Sequence, residues 1–538
     1  MESLGDDLAT MPRVPLADEH VAALRAIGSE RTYPAGTMLA VAGEAIDRFV
    51  YVIDGEVEVV DPFTGGRMVP STLGPTQFMG EIGFLNGGSW LLPMRAVRDT
   101  ATLEVPRPDM LAMMARVPEL SDHVIRVFSA RRRRQFELRN SAIKLIGADR
   151  DAAVQRVEQF LSRNRIPFQS LDMDGSGEEV LAACNLVGHR PAVILGQDRV
   201  LEEPTPRKVA QYLNLDLDAC AETLYDLLVV GGGPAGVAAA VYAGAEGLKA
   251  LVIEDTAIGG QAGTSSRIEN YMGFPTGISG TDLLYRGQIQ AMKFGTRFAM
   301  PRRVERLERR ADGAFCATLD GGDAVCARAV LVATGVQYSR LPLDRLAELE
   351  GAGVFYAATD MEARFCRNTE AVVIGGGNSA GQAAMYLSRT AGHVHVVVRG
   401  KSLAASMSSY LMERLKADPR ITVHYDTAVT ALHGGDHLEA VTFRTAGVER
   451  HIPTRALFIM IGAAPNTSWL GTLVETDERG FVLTGSATGE TSPYETSCEG
   501  IFAVGDVRSG SVKRVASAVG EGSVVVSQIW NFVERDRA

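Results

Sequence analysis

The chain has 538 residues, a formal net charge of −11, 46% hydrophobic residues and 56 glycines. That length exceeds one hydrophobic core, so three or four domains are expected, and the negative balance argues against nucleic acid as a general partner. Residues 1–20 are acidic and lack an apolar segment, so no signal peptide is expected and the reading is a cytoplasmic protein without a membrane partner.

In chain order, residues from about 30 to 107 read as short strands separated by turns. Phe49 to Val60 carries a strand, an Asp54-Gly55 turn and a strand, the pattern of a hairpin. Phe78-Met-Gly-Glu81 follows, and then a helical tail from Arg107 to about Leu138. This unit, residues 1–138, resembles a cyclic-nucleotide-binding domain of the catabolite-activator type, an N-terminal β-roll closed by helices. The resemblance implies that Glu81 meets a ribose. It also implies an arginine for the cyclic phosphate, but Trp90 stands at that position and Arg95 lies five residues late. A phosphate without a guanidinium loses its strongest charge-assisted bonds, so cyclic nucleotide binding is not expected. A docking or dimerisation role is the plainer reading. The run Arg131 to Arg134 is expected to be a solvated, partner-facing helix face.

Residues 139–216 read as strand (142–146), helix (151–163), strand (167–171), then a hairpin beginning at Pro191 and a last helix (206–213). The order resembles a glutaredoxin-like, thioredoxin-like α/β domain, with Pro191 where that family has a cis-proline. Gly147-Ala148-Asp149-Arg150-Asp151 occupies the place of the redox cysteines, so the module is read as an adaptor.

The remainder reads as two Rossmann-like α/β domains, with boundaries 222–347 and 469–538 for the first and 348–468 for the second. Leu227 to Val230 is an apolar strand running into Gly231, Gly233 and Gly236 at Gly-x-Gly-x-x-Gly spacing, with Pro234 and Ala235 in the cofactor-binding turn and a helix of small residues from Val237 to Ala245. One glycine permits the turn, one the approach of a pyrophosphate, and one close helix–strand packing. The diphosphate then sits at the helix N-terminus. The strand Leu248 to Ile253 ends at Glu254, where a carboxylate accepts from an adenosine ribose. The uncharged window Leu227 to Ala245 has a membrane-span length, but its five glycines and proline exclude that reading. About 145 residues on, Ala371 to Ile374 leads into Gly375, Gly377, Asn378, Ser379 and Ala380. Two dinucleotide folds imply two nucleotides held for transfer between them.

From about Tyr225 onward the chain resembles low-molecular-weight thioredoxin reductases. The residues carrying the resemblance are Gly259-Gly260-Gln261, the segment Arg267 to Pro275 with Asn270, Val332-Ala-Thr334-Gly335, Ile461 to Asn466, and Phe502-Ala-Val-Gly505-Asp506. The resemblance implies that these pass by or close around FAD, except Ile461 to Asn466, which it places near the domain crossover. It assigns Arg514, Val515 and Ala516 to the same flavin surface, and has Gly520-Glu-Gly open a helix that faces the flavin ring. It implies a homodimer as well. In the second fold, Arg399 and Lys401 follow the second strand where an acid would hold a free ribose, which suits the 2′-phosphate of NADPH. Only Arg399 matches the family's three arginines; Gly400 and Ala404 take the other places, and NADH is left open.

The main departure concerns sulfur. The six cysteines, Cys184, Cys220, Cys316, Cys326, Cys366 and Cys498, nowhere form Cys-x-x-Cys, and neither a disulfide framework nor a metal site is expected. Ala357 and Asp360 stand where the resembled family has its two cysteines. Cys366 reads as a buried, inert thiol. Asp360 is a candidate proton donor to a reduced substrate, or else an exposed loop residue. The expectation is an FAD-dependent NAD(P)H oxidoreductase with a non-dithiol acceptor: a quinone, oxygen, a redox protein or a small metabolite. Two alternatives stay open: a thioredoxin-disulfide reductase using cysteines from elsewhere, and a redox or cyclic-nucleotide-regulated sensor.

Overall fold

The computed structural model describes residues 14–537 except 139–140, 148–150, 174–179, 181–182, 184, 197–198, 217–222, 266–267, 269, 339, 351, 357, 359, 405, 436 and 491. After helix α1 (Asp18–Arg25), strands β1 (Ser29–Tyr33), β2 (Met38–Ala40), β3 (Arg48–Val59), β4 (Phe78–Met79) and β5 (Met94–Pro106) form one sheet in the order β1-β5-β3-β4, with β2 on β5. Helices α2 (Arg107–Arg116) and α3 (Pro118–Leu138) close it. Phe49, Phe78, Phe84 and Phe128 pack as one aromatic group, with ring centroids 5.1 Å apart for Phe49 and Phe78 and 5.8 Å for Phe78 and Phe128. Gly80, at φ +123°, lets α3 come this close, since a Cβ there would lie 2.6 Å from the Phe128 ring.

Two expectations fail here. The Asp54-Gly55 pair makes no hairpin: β3 runs unbroken against β5, from Arg48 opposite Pro106 to Val59 opposite Met94. Gly55 sits at φ +106° in a bulge where a Cβ would meet Thr100, and the register shifts around it. The long partner strand supplies a ladder on both sides of the pair, so the extra residue bends the strand instead of reversing it. Nor is the arginine run a solvated face. Arg132 is buried and ion-paired to Glu81. Arg131 donates to the Gly80 carbonyl at 3.0 Å and stacks on Phe78. Only Arg133, paired with Glu137, behaves as a surface residue.

The next unit contains β6 (Ile143–Ile146), α4 (Ala152–Arg163), β7 (Gln169–Leu171), β8 (Ala192–Leu195), β9 (Arg199–Leu201) and the helix Pro206–Tyr212. Its sheet order is β7-β6-β8-β9, with β6 parallel to β7 and antiparallel to β8. Asp151 caps α4 by accepting from Ala153 N and Val154 N at 2.8 and 2.9 Å, satisfying two otherwise free donors. The peptide before Pro191 is trans, contrary to expectation; among the described residues the cis bond is the one before Pro301. Ala148 to Arg150, at the expected redox position, lie outside the described residues.

The flavin-type unit begins with β10 (Leu224–Val230), the helix Pro234–Ala245, β11 (Ala250–Ile253), the helix Gly280–Lys293 and β12 (Arg297–Ala299). It continues through the antiparallel meander β13 (Val304–Arg309), β14 (Phe315–Leu319) and β15 (Ala324–Val332). Parallel pairing sets Leu227 opposite Ala250 on β11 and opposite Ala329 on β15. Leu227 to Val230 are buried on both faces, the state an unbroken apolar run requires.

β16 (Val336–Tyr338) leads out of this unit. Beyond it β17 (Val354–Phe355), β18 (Glu370–Ile374), β19 (His393–Val397) and β20 (Ile421–His424) enter a second parallel sheet, and β21 (Thr427–His433), β22 (Ala440–Thr445) and β23 (Val448–Pro453) form a meander. β24 (Ala456–Ile459) completes the parallel order β17-β24-β18-β19-β20, and β25 (Ala463–Pro465) returns beside β16. Finally β26 (Ile501–Ala503) joins β15, and the helix Val515–Arg537 lies on the helix Pro234–Ala245. Among the described residues no helix is long and apolar enough to cross a membrane.

Candidate functional site: two nucleotide cradles

The three glycines of the first turn do three different things. Gly231 has φ +110°, and a Cβ there would lie 2.3 Å from the Ala333 carbonyl oxygen. Gly236 brings helix and strand together so closely that a Cβ would fall 1.9 Å from the Gly231 oxygen. Gly233 differs: a Cβ on it meets only Gly260 Cα, at 4.0 Å. The space beside Gly233 is therefore open, and it faces the first turn of the helix Pro234–Ala245, where free N–H groups and the positive dipole end favour a diphosphate.

Glu254 lies at the end of β11, beside the turn at Gly232. Its Oε2 accepts from Gly232 N at 2.7 Å and its Oε1 from Thr256 N at 3.1 Å. Burial, with Asp255 adjacent, raises its carboxyl to about 7. Gly260 lies against Gly233, Gln261 donates to the Val336 carbonyl beside Thr334-Gly335, and Gly505 lies against Ala235. Thr334 Oγ1 donates to the Asn466 carbonyl at 2.8 Å, tying this turn to the segment leading back from the second fold. Asp506 is half-buried next to Gly505, and desolvation holds its carboxyl above the usual range. Thus Gly231, Gly233, Ala235, Gly236, Glu254, Gly260, Gln261, Thr334, Gly335 and Gly505 surround one cradle. Asn270 and Arg514 are exposed, and among the described residues no side-chain bond ties them to it.

The second cradle repeats the first. Gly375 has φ +144° with a Cβ position 2.3 Å from the Met460 oxygen, while a Cβ on Gly377 meets only Ser406 O, at 3.7 Å. Ala380 is fully buried where the first fold has its third glycine. Asn378 and Ser379 are exposed in the first turn of the helix Asn378–Leu387. Arg399 and Lys401 are exposed just past β19, and among the described residues neither has a carboxylate within ion-pair distance. Two cations left unpaired beside a dinucleotide cradle suit a phosphate on the ribose.

One helix boundary moves. The last helix starts at Val515, so Gly520-Glu-Gly lies inside it and does not open it; Val515 and Ala516 form its first turn. Gly522 is where that helix crosses the other, since a Cβ there would lie 2.2 Å from Ala235 O. Sequence reasoning missed Glu521, which accepts from Gly505 N at 2.7 Å and pairs with Arg508 at 2.7 Å. It missed Ser406 too, whose Oγ donates to Gly376 O at 2.8 Å, and Ser408, whose N–H donates to Asn378 Oδ1 at 2.8 Å. A serine in a loop leaves no periodic signal, so only the tertiary contact exposes it.

Residues 225–522 match the family model for pyridine nucleotide-disulphide oxidoreductases, more than half of the chain. The chain belongs to that family. A second match covers residues 30–117 and is to the cyclic nucleotide-binding domain. Among relatives, thioredoxin reductase of Treponema pallidum is 35% identical over 315 residues, 58% of this chain and 98% of its own length. Thioredoxin reductase of Bacillus subtilis is 32% identical over 58% of this chain and 96% of its own. Among solved structures, thioredoxin reductase of Lactococcus lactis in its FR conformation aligns at 29% identity and TM-score 0.53, covering 58% of this chain and 99% of that one. As a thioredoxin-reductase-like member of the pyridine nucleotide-disulphide oxidoreductases, the protein is an FAD-dependent oxidoreductase that draws on NADPH. The open space at Gly233 and at Gly377, each at a helix N-terminus, fits the two dinucleotides.

Four cysteines fall within the described residues. Cys316 and Cys326 lie directly opposite each other on β14 and β15, their Cα atoms 4.1 Å apart, and form a disulfide. The sequence spacing had given no sign of it, because cross-strand register is a tertiary fact. Cys366 is fully buried, its thiol donates to the Ala363 carbonyl at 3.3 Å, and burial pushes it up to about 11. Cys498 is partly buried, and desolvation raises it as well. Ala357 lies outside the described residues, and Asp360 begins the short helix Asp360–Ala363.

Proposed function

We propose that this oxidoreductase passes electrons from NADPH through FAD to an acceptor that is not a dithiol. The state of Cys366 carries the reading. Disulfide exchange needs a thiolate, and a thiol titrating near 11 in an apolar site is almost wholly protonated at neutral pH. FAD, when bound, supplies the two-electron relay between nicotinamide and acceptor. The chain's own part is to hold the diphosphate at Gly233, the adenosine ribose at Glu254, and the ribityl side at Asp506. Arg399 and Lys401 select the phosphorylated nicotinamide nucleotide. Asp360, at the start of its helix, is assigned the proton delivered to a reduced acceptor, a role that applies to a quinone or a small metabolite.

The similarity to thioredoxin reductases over nearly their whole length favours a second reading, reduction of thioredoxin through cysteines of another chain. Anaerobic reduction by NADPH followed by addition of acceptors separates the two. Reduced protein is expected to reoxidise with a quinone or oxygen and to stay reduced with thioredoxin alone. NADPH-dependent thioredoxin reduction that Cys366→Ala abolishes would overturn the proposal. Asp360→Asn is expected to slow quinone turnover while leaving flavin reduction by NADPH unchanged.

A further inference from the structure

The β-roll and α3 line a cavity of about 120 Å3 that opens to solvent. Trp90, Leu91 and Leu92 belong to its wall, as do Glu81, Arg131, Arg134 and Gln135. None of the nucleotide-cradle residues lines it.

The cavity's chemistry is not that of a cyclic phosphate site. Where the resemblance implies a phosphate-binding arginine, the wall is the apolar run Trp90-Leu91-Leu92, each residue buried. Arg95 does not replace the missing group, because its guanidinium is held by Glu58 at 2.6 and 2.9 Å in a pair that Arg67 shares. Positive charge enters from α3 instead. Arg134 lines the cavity, and among the described residues it has no carboxylate within ion-pair distance. Arg131 beside it is fixed by its bond to Gly80 O and by the Phe78 ring.

Among the described residues, two acceptors on residues of this lining are buried without a partner: Glu81 Oε1 and Gln135 Oε1. Glu81 is 4% exposed, and Arg132 occupies its other oxygen, so that among the described residues Oε1 has no donor. A buried polar atom left unpaired is unfavourable, and a ligand hydroxyl is the group that relieves it. An apolar wall, an unpaired cation and two orphaned acceptors together specify the occupant.

We propose that this cavity binds a small hydroxylated carboxylic acid with an apolar body, and not a cyclic nucleotide. The body lies against Trp90, Leu91 and Leu92, the carboxylate pairs with Arg134, and the hydroxyl donates to Glu81 Oε1 or Gln135 Oε1. An aliphatic or an aromatic body has this chemistry. Leu91 and Leu92 also belong to the apolar core of the unit containing β6 to β9, so an occupant touches the wall shared with that unit.

Isothermal titration of the full-length, FAD-loaded protein tests this with 3-hydroxydecanoate, 3-(4-hydroxyphenyl)propionate, 1,3-decanediol and cyclic AMP. At least one hydroxy acid is expected to bind at micromolar concentration, and which one does so identifies the body. The neutral diol is expected to bind at least tenfold more weakly than 3-hydroxydecanoate if the body is aliphatic. Cyclic AMP is expected not to bind. Arg134→Gln, at a partly exposed position, should weaken the acid at least tenfold with the flavin spectrum unchanged. No binding of either acid at millimolar concentration overturns the assignment. So does cyclic AMP binding more tightly than both, or an affinity that Arg134→Gln leaves intact.

Discussion

At Glu254, burial and hydrogen bonding pull the carboxyl in opposite directions. Desolvation raises it, while the N–H groups of Gly232 and Thr256 favour the anion, and the balance stands at about 7 against 4.5 for a free glutamate. The folded, flavin-free protein therefore holds a proton that the unfolded chain has released between those two values. Its stability from this group is complete below about 4.5 and is lost as pH rises through 7. If, as proposed, ribose hydroxyls donate to Glu254, they favour its anion, and flavin binding below 7 is expected to release a proton. FAD affinity is expected to rise between pH 5 and 7, by up to about tenfold per unit, and Glu254→Gln is expected to flatten the dependence. Flavin fluorescence titration across that range measures both. Arg399 and Lys401 make a separate prediction. Changing both to serine should weaken NADPH by about 1–3 kcal/mol and leave NADH nearly unchanged. Equal losses for the two nucleotides, read from the rate of flavin reduction against concentration, would contradict the assignment.

Among elements, the helix Val515–Arg537 shows how one residue type has opposite consequences two positions apart. Gly520 faces open space, with nothing within 4 Å of a Cβ, whereas a Cβ on Gly522 strikes the Ala235 carbonyl. Gly520→Ala should be neutral or stabilise by up to about 1 kcal/mol, because alanine loses less backbone freedom in a helix. Gly522→Ala should destabilise by about 1–3 kcal/mol and loosen FAD, since it pushes the helix Pro234–Ala245 off its partner. Thermal denaturation of the two variants distinguishes them. If Gly520 stood at the helix N-terminus, as its sequence context implied, alanine there would gain no such benefit.

In the whole molecule, the N-terminal roll is bonded to the flavin unit and is not merely tethered. Buried Asn86 donates to Phe298 O at 2.9 Å and accepts from Phe298 N at 3.0 Å, so its amide extends the edge strand β12. Asp122 meets Lys293 at 2.6 Å, and Glu158 on α4 meets Arg364 of the nicotinamide-side unit at 3.2 Å. The apolar residues of the roll and of the flavin unit form one continuous cluster. Asn86→Leu is expected to destabilise both together by about 1–3 kcal/mol, leaving Phe298 unpaired in an apolar site. A single shifted denaturation transition is the expected signature; an unfolding of the roll alone would show that the units are independent.

Much of this was legible in the residues themselves. A four-residue apolar run followed by glycines at fixed spacing reads as a buried parallel strand and a tight turn, and the structure has both, at Leu227 to Gly236 and at Ala371 to Ala380. The absence of Cys-x-x-Cys is a property of the string. What the string could not decide depended on a partner distant in sequence. Asp54-Gly55 forms a bulge because β5 is long enough to span it, and Arg132 is buried because Glu81 waits there. Cys316 and Cys326 pair because β14 and β15 set them opposite one another. Local pattern governs the strand and the turn, where the interacting atoms are neighbours in the chain. Register, burial and the occupancy of each charge belong to the tertiary structure, because they are set by whichever segment packs against the residue.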